Sequence, residues 1–340
     1  MRNLRQFARF TQYRGFATTS PGPGTPSFQV FNRETKRLQR DRAAQDVEAS
    51  RRVDYLRQEV ADRVVDRMYI KRPFRKILDL GSGPGAFAQS LYNTYESNEK
   101  ERQPIESRFG KIICAELSKK LLERDVDLPF NKKFDIERVQ MDEELPDFPN
   151  DSFDSVVSVL SMHWINDLPG ALYRIRNILK PDAPFVCAML GGDSLFELRT
   201  SLQLAESERR GGVSPRVSPL ADVKDMGGLM QKAGFNMLTI DVDDVVVDYP
   251  NMFDLMTDLQ AMGEGNAIIS REMGPIGRDV LMAAQAIYQE LHGNEDGSIP
   301  ATFRVINMIG WKDSPDQPKP LKRGSGQLSM KEFLEKGNKN

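Results

Sequence analysis

One stretch constrains this chain more than any other: Ile77-Leu78-Asp79-Leu80-Gly81-Ser82-Gly83-Pro84-Gly85. An apolar run that reads as a buried strand carries one carboxylate and ends in three glycines at alternate positions. A helical pattern follows, with Phe87 and Leu91 one turn apart. Strand, glycine turn and helix N-terminus together make a nucleotide cradle, because glycine lets backbone approach a ligand and the helix start presents free N–H groups. Gly81, Gly83 and Ala86 also satisfy a relaxed dinucleotide fingerprint, G-x-G-x-x-G/A, so the turn alone leaves the ligand open.

Six further strands are predicted: Lys111–Leu117, Ile136–Gln140, Phe153–Leu160, Pro184–Leu190, Phe235–Tyr249 and Ala301–Trp311, joining Lys76–Leu80 to make seven. Helical patterns alternate with the first five. The rhythm predicts an α/β fold with a doubly wound, largely parallel sheet, whose ligand chemistry gathers at the strands' carboxyl ends. Asp79, Glu116, Asp142 and His163 each fall at such an end. The core domain is placed at residues 73–312, with N-terminal helices at 31–72. A lid and substrate-side additions fall within 191–292, among them a candidate substrate loop, Gly263–Asn266. Phe31 to Ala49 reads as one helix whose basic face, Arg33, Lys36, Arg37 and Arg40, is expected in solvent. Tyr95 to Arg108 reads as a surface insertion, and 313–340 as a polar disordered tail.

The formal net charge is −2, which argues against nucleic-acid binding. Cys114 and Cys187 lie in apolar runs and read as buried thiols. No apolar run reaches the ~20 residues of a membrane span. The first residues differ from the rest: Arg2, Arg5, Arg9 and Arg14 occur before any acid, opposite Leu4, Phe7 and Ala8, and a Ser/Thr/Gly/Pro-rich stretch follows. That is the composition of a mitochondrial transit peptide, and residues 1–30 are assigned to it and its linker. Its basic amphipathic helix also suits peripheral contact with a membrane surface.

Asp79 tilts the choice of ligand. A carboxylate two residues before the first glycine is unhelpful to a pyrophosphate. It favours S-adenosylmethionine, which carries an ammonium and a sulfonium and no phosphate. Glu116 suits ribose hydroxyls under either reading, and Asp142 suits an adenine amino group.

Ile77–Gly85, Asp142–Leu145, Phe148–Asp154 and Ile178–Pro181 together resemble the class I S-adenosylmethionine-dependent methyltransferases. The resemblance implies a Rossmann-like, seven-stranded sheet with a reversed last strand. It also implies that Gly81, Gly83 and Gly85 line the methionine moiety, that Glu116 takes the ribose, and that Asp142 with Glu143 flanks the adenine. His163-Trp164-Ile165-Asn166-Asp167-Leu168-Pro169 is similar to the carboxyl methyltransferases of biotin synthesis. Gly191–Arg199, Ser201–Glu206, Ser214–Pro219 and Asn294–Ser298 resemble, more narrowly, the complex I assembly factors of the methyltransferase-like arginine hydroxylase family. That resemblance implies hydroxylation of an arginine on an iron–sulfur subunit of NADH dehydrogenase, alongside other assembly factors, in the mitochondrial matrix or at the matrix face of the inner membrane. The alternatives are methyl transfer to a carboxylate of a small-molecule or acyl-carrier substrate, and a non-catalytic assembly chaperone.

Three further positions are candidates for chemistry. His163 suits a general base or a substrate-orienting donor, or an imidazole bonded to backbone. Trp164 suits stacking on a guanidinium, or plain core packing. Asp193 suits pairing with a substrate arginine, or capping a helix ahead of Leu195. No metal site is assigned: a two-histidine, one-carboxylate iron set needs more than His163 and His292, and His292 is expected in solvent.

Overall fold

The computed structural model describes residues 29–68, 72–270, 274–318 and 324–325. The basic leader at residues 1–16 and most of the expected tail lie outside them. Seven strands form one sheet: β1 (Phe74–Leu80), β2 (Phe109–Glu116), β3 (Ile136–Gln140), β4 (Ser155–Val159), β5 (Pro184–Leu190), β6 (Phe235–Tyr249) and β7 (Ile299–Lys312). Their order is β3-β2-β1-β4-β5-β7-β6. The first five run parallel to one another, and β7 lies antiparallel between β5 and β6. Strand order reverses between β1 and β4, the position where doubly wound sheets bind ligands.

Twelve helices are described: α1 (Arg33–Ala43), α2 (Val47–Arg52), α3 (Tyr55–Arg67), α4 (Ala86–Ser97), α5 (Glu99–Arg108), α6 (Lys119–Glu123), α7 (Phe130–Lys133), α8 (Leu168–Ile178), α9 (Phe196–Arg210), α10 (Val223–Ala233), α11 (Met252–Ala261) and α12 (Arg278–His292). Successive residues of the central strands feed opposite layers. Ile77, Val157 and Val186 join the core under α3, α4, α9 and α12, whereas Leu78, Val156 and Phe185 join the one under α8 and α10. A strand buried on both faces must be apolar throughout, and every residue of β5 is buried. Cys114 and Cys187 are both buried free thiols. Edge strand β6 instead alternates, and it presents Asp241, Asp243, Asp244 and Asp248, charges that discourage edge-to-edge pairing.

Two local expectations change, and the insertion gains a form. The helix expected over 31–49 is two helices, because Asp46 accepts a hydrogen bond from the Ala49 N–H and starts α2 afresh. Residues 95–108 are helical: Asn98 caps a new helix directly after α4. His292 is partly buried rather than in solvent, edge-on to Phe196 and Tyr288. Among the described residues no helix is long and apolar enough to cross a membrane.

Candidate functional site at the carboxyl ends of the central strands

Gly81 follows directly on β1 with φ +70°, and its N–H and that of Ser82 both donate to the Ala115 carbonyl. A Cβ at Gly81 would run into the Ser161 hydroxyl, so the turn requires glycine for space as well as for backbone angle. Gly83 and Gly85 complete the turn, and Gly85 stands at the N-cap of α4.

Asp79 lies beneath this turn, level with Cys114 of β2 and Val157 of β4. It is fully buried, and neither carboxylate oxygen has a hydrogen-bond partner. Burial, with the Glu116 charge nearby, pushes its carboxyl up to about 8 against the pull of the Arg57 guanidinium. A carboxylate in such surroundings either keeps its proton or waits for a cation.

The other acids have partners. Glu116 closes β2; its Oε2 accepts from the Gly83 N–H at 3.2 Å, and its Oε1 from the Ser118 N–H at 3.0 Å and Arg40 Nη1 at 2.8 Å. Asp142 Oδ1 accepts from Arg33 Nη2 at 2.8 Å. Glu143 accepts from Arg40 at 2.5 Å, Arg33 at 2.6 Å and the Ser161 hydroxyl at 3.0 Å. Burial opposes ionisation of Glu143, but the two guanidiniums outweigh it and hold its carboxyl at about 2.

These contacts correct the reading of α1. Its basic face is not solvated: Lys36 and Arg40 are buried, and Arg33 and Arg40 bridge the acids at the ends of β2 and β3. Arg37 alone keeps to the surface side, pairing with Glu34 and Asp41. The spacing placed the cations on one face. What that face meets depends on the fold.

His163 and Trp164 occupy a short 3₁₀ turn after β4 and meet a residue not singled out from sequence, Glu264 of the Gly263–Asn266 loop. The Trp164 indole N–H donates to Glu264 Oε2 at 2.6 Å, and His163 Nε2 lies 3.3 Å from the same oxygen. The imidazole partner is thus a carboxylate rather than backbone. Burial lowers the His163 pKa more than Glu264 raises it, so the ring is neutral at physiological pH. Burial opposes ionisation of Glu264, but His163, Lys36 and Arg40 prevail and hold its carboxyl well below the usual carboxylate range. The Trp164 ring packs against Phe31, with its face 3.3 Å from Lys36 Nζ, so this chain's own cation fills the stacking position. Lys36 in turn donates to the carbonyls of Gly263 and Gly265.

Asp193 stands apart. It is exposed and pairs with Arg304, and Leu195 precedes α9 with no side-chain cap. Among the described residues no three His, Cys, Asp or Glu side chains are placed to hold a metal ion.

For a cationic nucleoside, the residues fit at the methionine end. Asp79 is an unpartnered buried acid directly under the glycine turn, and the Arg57 guanidinium stands where a Cβ on Gly83 would be. At the ribose end Glu116 is within reach of the turn, but Arg40 already donates to it.

A seven-stranded sheet with its penultimate position reversed, a glycine turn after β1 and acids at the ends of β1, β2 and β3 define the class I methyltransferase fold. A family model described as a methyltransferase domain matches residues 52–240. The YcgJ protein of Bacillus subtilis shares the fold at 14% identity and a TM-score of 0.51, over 75% of this chain and 98% of its own. The mitochondrial arginine-hydroxylase NDUFAF5 of Rattus norvegicus is 45% identical over 323 residues, 93% of this chain and 88% of the relative. The chain belongs to that arginine-hydroxylase family. A malonyl-[acyl-carrier protein] O-methyltransferase of Methylovorus sp. is 30% identical, over 80% of this chain and 86% of its own.

Proposed function

We propose that this chain is a mitochondrial, S-adenosylmethionine-binding enzyme of the methyltransferase fold that hydroxylates an arginine on an iron–sulfur subunit of NADH dehydrogenase during complex I assembly. The observation that carries the reading is the 45% identity, spread over 93% of the chain, to a protein named as a mitochondrial arginine hydroxylase. The matrix is the proposed compartment, on the strength of the basic leader. Other assembly factors are proposed partners, with the inner membrane as a peripheral contact.

S-adenosylmethionine supplies an electrophilic sulfonium beside the substrate when bound. Hydroxylation also takes an oxygen atom and a two-electron oxidant from outside the chain's own residues, whose part is to bind and to orient. Asp79 would hold the ammonium, Arg57 the carboxylate of the methionine end, and Glu116 and Asp142, which Arg40 and Arg33 already contact, the ribose and the adenine. His163, neutral and held by Glu264, offers a ring nitrogen able to take or return a proton.

Mass spectrometry of the iron–sulfur subunit from cells lacking this protein tests the function. The expected result is one arginine that has lost the mass of one oxygen atom. A subunit of unchanged mass with stalled assembly would point to a chaperone instead. A second reading, methyl transfer to an acyl carboxylate, is favoured by the relationship to a malonyl-[acyl-carrier protein] O-methyltransferase. It predicts a missing methylene on an acyl product and an intact subunit.

A further inference from the structure

Arg57, which stands against Gly83 of the glycine turn, also lines a cavity of about 420 Å³, within the roughly 300–1,000 Å³ of small-ligand sites. Its walls are mostly apolar, with Leu160, Leu198, Leu202, Met256, Leu259 and Phe303 among them, and Glu264 is one of few charged groups lining it. That carboxylate is only half satisfied. Oε2 holds Trp164 and His163, whereas Oε1 is buried with no hydrogen-bond partner. The Glu264 side chain is 11% exposed, and Arg57 Nη2 lies 3.9 Å from Oε1, beyond hydrogen-bond reach.

The neighbouring cations have other engagements. Lys36 bonds the Gly263 and Gly265 carbonyls, and Arg40 bonds Glu116 and Glu143. Arg57 stands against Gly83 at the turn. An anionic oxygen buried without a hydrogen-bond donor is costly, and a donor from outside the chain would relieve it. Guanidinium is the cation best suited to that position. It is weakly hydrated, and its long apolar stem and planar fork match a carboxylate inside a greasy channel.

We propose that Glu264 anchors the guanidinium of the substrate arginine, and that the cavity takes apolar side chains flanking it. The proposal rests on the arginine-modifying reading above and names the substrate class of that site: arginine within an apolar peptide context. Trp164 and His163 act as positioning residues that fix the Glu264 carboxylate with Oε1 unencumbered.

The test is calorimetric titration of the full chain with Nα-benzoyl-L-arginine amide and with its citrulline counterpart, which has the same shape and no charge. The wild type is expected to bind the arginine probe at least about tenfold more tightly, the scale of a charge-assisted hydrogen bond. Glu264→Gln, which still offers an oxygen to Trp164, is expected to bind both probes equally. Glu264→Asp keeps the charge and is expected to keep the preference; it stands in should the glutamine variant not fold. A Glu264→Gln protein with the wild-type preference, or a Glu264→Asp protein without it, overturns the anchor. If either result comes while the iron–sulfur subunit still gains its oxygen, the anchor falls and the arginine reading stands. A wild type with no preference, in cells whose subunit mass is unchanged on deletion, removes both.

Discussion

At the scale of single residues, Asp79 is the position where charge and fold are most at odds. Burial first and the Glu116 charge second push its carboxyl up to about 8 from its ordinary 3.8. Between those values the folded protein holds a proton that the unfolded chain has lost. The ligand-free protein therefore loses stability as pH rises from about 4 to about 8, and the loss levels off above that. Asp79→Asn cannot ionise, so it is expected to flatten this slope and to exceed the wild type by on the order of 2 kcal/mol near pH 9. Denaturant melts at about pH 6 and about pH 9 measure both quantities, and equal slopes would show that Asp79 is not the titrating group. Gly81→Ala is expected to cost at least about 1–2 kcal/mol from its left-handed backbone alone. The collision of its Cβ with Ser161 should add to that and weaken cofactor binding.

At the scale of elements, α1 is the piece that joins the fold to the site. Arg40 is 2% exposed and lies between two carboxylates as buried as itself. Such a group gives little net stability as a set, yet removing one partner leaves a buried charge uncompensated. Arg40→Met is expected to cost about 3–5 kcal/mol, and adding Glu143→Gln to return part of it, both read from denaturant midpoints. Because Arg40 donates to the acid assigned to ribose, cofactor is also expected to change hydrogen exchange along α1, and unchanged protection there would separate α1 from the cofactor. The strands were legible in the sequence because burial on both faces demands near-continuous apolar runs, and the acids at their ends stood out against those runs. The role of α1 was not legible. A basic stripe has the same spacing whether it meets water or buried acids, and only tertiary pairing decides between them. Glu264 was hidden for a related reason: its Gly-rich loop was visible, but its partners His163 and Trp164 lie about a hundred residues away in sequence.

At the scale of the whole molecule, two apolar layers clamp a largely parallel sheet, and its switch point opens on an acid left without a partner. Truncating a core aromatic such as Phe185 of β5, fully buried in the layer under α8 and α10, is expected to cost about 3–5 kcal/mol and to lower site occupancy only through stability. Ligand binding, by contrast, should register in the proton count of the entire protein. A cation set over Asp79 favours its ionised form, so binding near neutral pH must expel a proton. The most direct measurement is calorimetric titration of the full chain with S-adenosylmethionine across about pH 6 to 9, in buffers of differing ionisation enthalpy. The expected result is release of close to one proton near pH 7 and affinity that rises about tenfold per pH unit up to about pH 8. No binding, or binding with neither proton release nor pH dependence, would contradict a cationic nucleoside held by Asp79.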